Sequence, residues 1–142
     1  RTCYYHQTLR RSELDADFAF GSVVTKRDAE IGHRVYIGLY SSVGWARIGD
    51  DTVIANYVSV LSGARQHNFD DPERRVFDGN DEFSCVDIGR NCFLGEKVTV
   101  MANIGECTVV GAGAVVVSPL RAYSVAVGIP ARVVKRRLER DE

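Results

Sequence analysis

The chain has 142 residues, 45% hydrophobic and 26% charged, with a formal net charge of −1. These proportions are those of one ordinary globular domain and exclude a disordered or fibrous chain. Charge so near zero gives no general attraction to nucleic acid or an anionic membrane. No apolar run nears the ~20 residues of a membrane span, and no signal peptide is visible, so the expected location is cytoplasmic. Cys3, Cys85, Cys92 and Cys107 form no C-x-x-C pair. They read as reduced thiols, with no metal site among them.

In chain order, residues 1–19 are irregular, and Ser12-Glu-Leu-Asp reads as the opening of a short helix. Phe20-Gly21 with Val24 reads as a worn first coil. From Ile31 a six-residue beat begins: Ile31, Ile37, Val43, Ile48, Ile54 and Val60, then Ile88, Leu94, Val100, Ile104, Val110 and Val116. The steps are six residues except Val43 to Ile48, which is five, and Val100 to Ile104, which is four. Eight of the 13 glycines directly follow a beat residue, as at Gly32, Gly49, Gly89 and Gly105. Three positions further on stands a small or β-branched residue, among them Val35, Ser41, Thr52, Val58, Cys92 and Ala114.

A parallel solenoid explains all three slots. Each short strand points one aliphatic side chain inward to stack on its neighbours. A small residue comes next, where the chain bends and another coil passes close by. The second inward slot is narrow. Each coil contacts only the next, so stability comes from stacking many copies. An ordinary β-sandwich would alternate with period two and turn every 8–12 residues, and glycine at this density excludes a helix. The expectation is a single all-β domain over 1–142, with coils at about 20–62 and 86–128. A short C-terminal helix over 129–142 is expected to cap the open edge.

Between Val60 and Ile88 the beat stops, and 63–85 is polar and aperiodic. An excursion this long is usually functional. It holds His67, whose imidazole titrates near neutral pH and so suits a general base. It also holds Arg65, Asn68 and Asp70, candidates for holding a polar substrate. Of the other histidines, His33 reads as a solvated corner residue and His6 lies in the irregular leader.

The pattern aliphatic–small–x–x–small/β-branched–x resembles that of the hexapeptide-repeat, left-handed β-helix acyltransferases. Parallel crossovers are normally right-handed, so the left hand is implied by the resemblance alone. Its most specific part is the exit, Val110-Gly-Ala-Gly-Ala-Val-Val116 and then Tyr123-Ser-Val-Ala-Val-Gly-Ile-Pro-Ala-Arg132. This is similar to the terminal signature of sugar and xenobiotic O-acetyltransferases. The resemblance implies that His67 is the catalytic base for transfer from acetyl-CoA, the co-substrate, with no metal. It implies that pantetheine lies against Phe93, a position that also suits core packing, and against the backbone of Ala112. Arg132 and Lys135 would meet coenzyme A phosphates, and Val117-Ser118 stands where the family has Thr-Lys, giving Ser118 the place of a phosphate contact. Gly38 takes the place of an acceptor-binding Asn in galactoside and maltose acetyltransferases. The implied acceptor is therefore a small molecule, a sugar or glycoconjugate hydroxyl, and His-Asn-Phe-Asp-Asp-Pro resembles loops of polysaccharide O-acetyltransferases. The family also implies a homotrimer.

The alternatives at this point are an N-acetyltransferase on an amino sugar, a serine acetyltransferase, and a non-catalytic β-helix scaffold. A γ-class carbonic anhydrase shares the solenoid but needs three histidines on adjacent coils, and only His33 and His67 are near them.

Overall fold

The computed structural model describes residues 2–65, 72, 73, 75 and 82–137. Short strands succeed one another with a bend between each, because only one or two residues per side can point inward before the glycine slot turns the chain. The strands stack into three sheets, the sides of a prism, parallel throughout except for the last strand. The first holds β1 (Arg11–Ser12), β4 (Glu30–Ile31), β7 (Ala46–Ile48) and β10 (Val86–Ile88). The second holds β2 (Asp17–Phe18), β5 (Tyr36–Ile37), β8 (Val53–Ile54), β11 (Phe93–Leu94), β13 (Val109–Val110), β15 (Ser124–Val127) and β16 (Arg132–Arg136). The third holds β3 (Val23–Val24), β6 (Ser42–Val43), β9 (Ser59–Val60), β12 (Thr99–Val100) and β14 (Val115–Val116). The architecture is a left-handed parallel β-helix.

The beat residues form the core: Ile31, Ile37, Val43, Ile54, Leu94, Val100, Val110 and Val116 are fully buried, as are Ser41, Thr52 and Ala114 of the second inward slot. Ser41 and Thr52 stay satisfied by donating to the carbonyls of Ala55 and Gly89 in the next coil, at 2.8 and 2.9 Å, as buried hydroxyls must.

A feature absent from the side-chain pattern recurs three residues after the beat. Arg34, Tyr40, Asp51, Tyr57, Asn91, Lys97, Cys107 and Tyr123 all have φ between +52° and +61°, a left-handed conformation costing roughly 1–2 kcal/mol in a non-glycine residue. All but Arg34, whose N–H faces the Asp15 carboxylate, bend the backbone so that the N–H meets a carbonyl one coil back. Examples are Asp51 to His33 at 2.9 Å, Tyr57 to Leu39 at 2.8 Å and Cys107 to Arg90 at 2.8 Å. That bond offsets the strain and sets the corner.

The solenoid begins earlier than the beat suggested. Ser12 and Phe18 pair with Ile31 and Ile37, and Val24 with Val43, so the first coil runs from Arg11, while Phe20 lies 67% exposed on its outside. The helix is α1 (Thr2–Thr8), ahead of Ser12. It covers the open end: Tyr5 is buried against Phe18, ring centroids 4.6 Å apart, and its hydroxyl accepts from the Val24 N–H at 3.1 Å. The His6 imidazole Nδ1 is 2.5 Å from the Ser12 carbonyl, which makes that nitrogen the donor.

At the other end, where a C-terminal helix over 129–142 is expected, Arg132–Arg136 form a strand, and 138–142 lie outside the described residues. β16 turns back antiparallel on β15. The helix-forming composition of this segment is overridden because β15 would otherwise leave a row of bare N–H and C=O groups, and Val133 and Val134 suit a strand.

Candidate active site

The register locates the site. Paired residues are 17 apart between Ile37 and Ile54, 40 apart between Ile54 and Leu94, and 16 apart between Leu94 and Val110. The extra residues leave at one place, the corner joining the third sheet to the first. The base of this excursion is pinned. Ser84 N–H donates to the Ser62 carbonyl at 3.0 Å, and Val86 N–H to that of Trp45 at 3.0 Å. The buried Ser62 hydroxyl accepts from the Trp45 N–H at 2.8 Å. The Lys26 ammonium sits 3.6 Å from the Phe83 ring centroid, a cation–π contact that ties the returning limb to the first coils. Arg65 is exposed on the outgoing limb. His67, Asn68 and Asp70 lie outside the described residues.

The three faces differ in outward chemistry. The first carries a ladder of alternating charge, Arg11, Glu30, Arg47 and Asp87, with Arg47 Nε 2.5 Å from Asp87 Oδ1. The third presents Ser42, Ser59 and Thr99. The second presents an apolar row, Tyr36, Val53, Phe93, Val109 and Val125.

Phe93 is thus not core packing: it points outward, 44% exposed, while Leu94 fills the interior. Lys135 of β16 pairs with Val125 in the same cross-strand row, and Arg132 pairs with Val127. Ala112 is exposed at the corner between the second and third sheets. Beside it, the space around the Gly113 Cα is open, with no atom within 4 Å of where a Cβ would stand. Phe93, Ala112, Arg132 and Lys135 therefore share one side of the C-terminal half. Ser118 is exposed beyond Val116, at the other edge of the third sheet. That is the corner from which the excursion leaves, two coils earlier.

His33 stands in an acidic corner, Nδ1 3.2 Å from Asp15 and Nε2 3.6 Å from Glu13. Burial pushes the Cys92 and Cys85 thiols up, so both stay protonated near neutral pH. All four cysteines are free. Among the described residues no three His, Cys, Asp or Glu side chains cluster to hold a metal, and no helix is long and apolar enough to cross a membrane.

A β-helix broken once by a histidine-bearing excursion, with a cationic strand closing its end, defines a class. The chain has the fold of the hexapeptide-repeat, left-handed β-helix acetyltransferases. Its sequence relatives include proteins named as acetyltransferases. It is 33% identical over 134 residues to Escherichia coli WbbJ, named for lipopolysaccharide biosynthesis O-acetyl transfer, covering 87% of this chain and 64% of that protein. It is 34% identical over 132 residues to a Mycobacterium tuberculosis protein named as an acetyltransferase, covering 76% of this chain and 44% of that one. The chain thus spans less than two thirds of the length of either relative. Among solved structures, a maltose O-acetyltransferase from Clostridium difficile superposes with a TM-score of 0.81 at 24% identity, over 95% of this chain and 73% of that one. No protein-family profile matches the chain.

Proposed function

We propose that the protein transfers an acetyl group from acetyl-CoA to a hydroxyl of a sugar or glycoconjugate, with His67 as general base. The observation that carries this reading is the single break in register, which gives the one long excursion of the coil stack to the segment bearing a histidine. The neutral imidazole takes the acceptor's O–H proton as its oxygen attacks the thioester carbon. A C–O bond forms, the carbonyl oxygen carries the negative charge, and a fixed N–H donor stabilises it. The C–S bond then breaks, and the imidazolium returns the proton to the departing coenzyme A sulfur. Transfer is direct, because the protonated Cys85 and Cys92 thiols are poor nucleophiles.

The donor reading rests on the shared side of Phe93, Ala112, Arg132 and Lys135. Ser118 would join them only for a donor lying across the third sheet, while Arg65, Asn68 and Asp70 are the proposed acceptor contacts. Since the excursion leaves from the corner between the third and first sheets while the Phe93 row lies on the second, a site combining them is most simply built between two chains. A C₃ homotrimer closes that arrangement, and its expected mass in light scattering is three times 15.7 kDa.

The test is His67→Ala. Turnover is expected to fall by about 10²–10⁴, the range for losing a general base, with the unfolding transition unchanged. Near-normal turnover would overturn the assignment. An acetylated cysteine seen by mass spectrometry would overturn direct transfer. Mixing His67→Ala chains with Arg132→Ala/Lys135→Ala chains should restore part of the activity if sites are shared.

A further inference from the structure

The corner that carries Ala112 and Gly113 also carries, toward the N-terminal end, three exposed aromatic residues in a row. Phe20, Tyr40 and Tyr57 are 67%, 54% and 50% exposed. The Tyr40 and Tyr57 rings stack at 5.7 Å with an interplanar angle of 11°, and Phe20 stands nearly perpendicular to Tyr40, at 85° and 5.7 Å. Tyr40 and Tyr57 are separated by one coil repeat, 17 residues, as Ile37 and Ile54 are.

Nothing in the coil requires an aromatic here. The same left-handed slot is filled by Lys97 in the next coil and by Gly113 in the one after. The first coil also adapts to the row. It has Gly21 in the slot, where a Cβ would lie 2.4 Å from Tyr40 Cδ1, so that the ring can lie flat across it. The base is held by Asn56, whose Oδ1 accepts from the Leu39 N–H at 2.9 Å. Beyond Tyr57 the edge continues through exposed Lys97 to the open space at Gly113.

We infer that Phe20, Tyr40 and Tyr57 form a ledge that receives an oligosaccharide acceptor, several sugar units long, and feeds its end toward the donor lying at Ala112–Gly113. This inference rests on the transfer reading above for the donor's place. A sugar ring has an apolar C–H patch and a rim of hydroxyls. The ledge offers both complements, ring carbons for the first and two phenol hydroxyls with the Lys97 ammonium for the second. Two ring-to-ring steps of 5.7 Å make the row longer than one sugar. A second protein chain fits less well. Three half-exposed rings offer about 300–400 Å², against roughly 800 Å² per partner in a stable interface.

Calorimetric titration of the full chain with maltohexaose, a hyaluronan hexasaccharide, N-acetylglucosamine and UDP-N-acetylglucosamine tests this. A hexasaccharide should bind at least about tenfold more tightly than the monosaccharide. The neutral and acidic hexasaccharides report whether Lys97 selects for charge. Tyr40→Ser/Tyr57→Ser should weaken that binding by about tenfold or more, equivalent to losing ~1.4 kcal/mol. Tyr40→Leu/Tyr57→Leu, which keeps apolar cover over the coil, should do the same with an unchanged unfolding midpoint. No hexasaccharide binding, binding unmoved by either double variant, or binding of the nucleotide sugar alone would overturn the inference. His67→Ala separates the two readings. It should keep full hexasaccharide affinity, and if it also kept transfer, the base assignment would fall while the ledge stood.

Discussion

Glycine serves two separate needs in this solenoid, and two alanine substitutions should tell them apart. At Gly89 the need is space. A Cβ there would lie 2.4 Å from the Glu106 backbone nitrogen and 2.6 Å from its Cα. Both atoms belong to the next coil's main chain, which is fixed by hydrogen bonds such as Gly89 N–H to the Ile104 carbonyl at 2.8 Å. The neighbour cannot rotate away, so the coils must separate locally. Overpacking costs typically ~1–3 kcal/mol, and Gly89→Ala should reach the upper end, about 3 kcal/mol. At Gly113 the need is conformational. Its φ is +70° but no atom lies within 4 Å of a Cβ, so Gly113→Ala should cost only about 1 kcal/mol of backbone strain. For a chain of this length 1 kcal/mol moves the midpoint by roughly 2–4 °C. Thermal unfolding measured by circular dichroism, at one scan rate, should therefore fall by about 6–12 °C for Gly89→Ala and about 2–4 °C for Gly113→Ala. A smaller loss at Gly89 than at Gly113 would refute the claim that inter-coil backbone contact, rather than φ, sets the glycine slot after each beat residue.

Lys97→Asn should raise the midpoint slightly, because asparagine tolerates the left-handed conformation that lysine holds at φ +60°. Arg132→Ala/Lys135→Ala should raise the KM for acetyl-CoA with little change in kcat, since the two cations would bind ground and transition states alike; an unchanged KM would remove them from the donor site. The Arg34 guanidinium holds the Asp51 carboxyl below its usual range, and the Arg90 guanidinium, with Tyr123, does so for Glu106. The unfolded chain then binds more protons than the folded one at acid pH. The stabilisation is complete above the unfolded carboxylate pKa of about 4 and is lost as pH falls through the lower folded values. Asp51→Asn and Glu106→Gln should accordingly lower the midpoint at pH 7 and converge on the unsubstituted protein as pH is lowered below about 4. A gap that widened there would contradict the pairing.

Much of the architecture is legible in the residues alone. Burying one aliphatic group per side of a narrow prism requires a beat of six. Ile31 to Val60 and Ile88 to Val116 keep it because a smaller side chain would leave a void and a polar one would lose its water. The same logic exposes the excursion, since 63–85 carries no such beat. Local pattern failed where the partner group came from another coil. The first coil is written with Ser12, Ala16, Phe18 and Ser22, all buried, which the helix-capped end tolerates but no aliphatic beat announces. The left-handed corners hold Arg, Tyr, Asp, Asn, Lys and Cys alike, because the constraint acts on a backbone N–H seeking a carbonyl one coil away and leaves the side chain unspecified. The C-terminal segment became a strand because the bare edge of β15 outweighed its helix-forming residues. Likewise Phe93, Arg132 and Lys135 share one side, and Ser118 does not, only because the coils stack in this register; sequence spacing carries no record of which face a residue meets until the prism has closed.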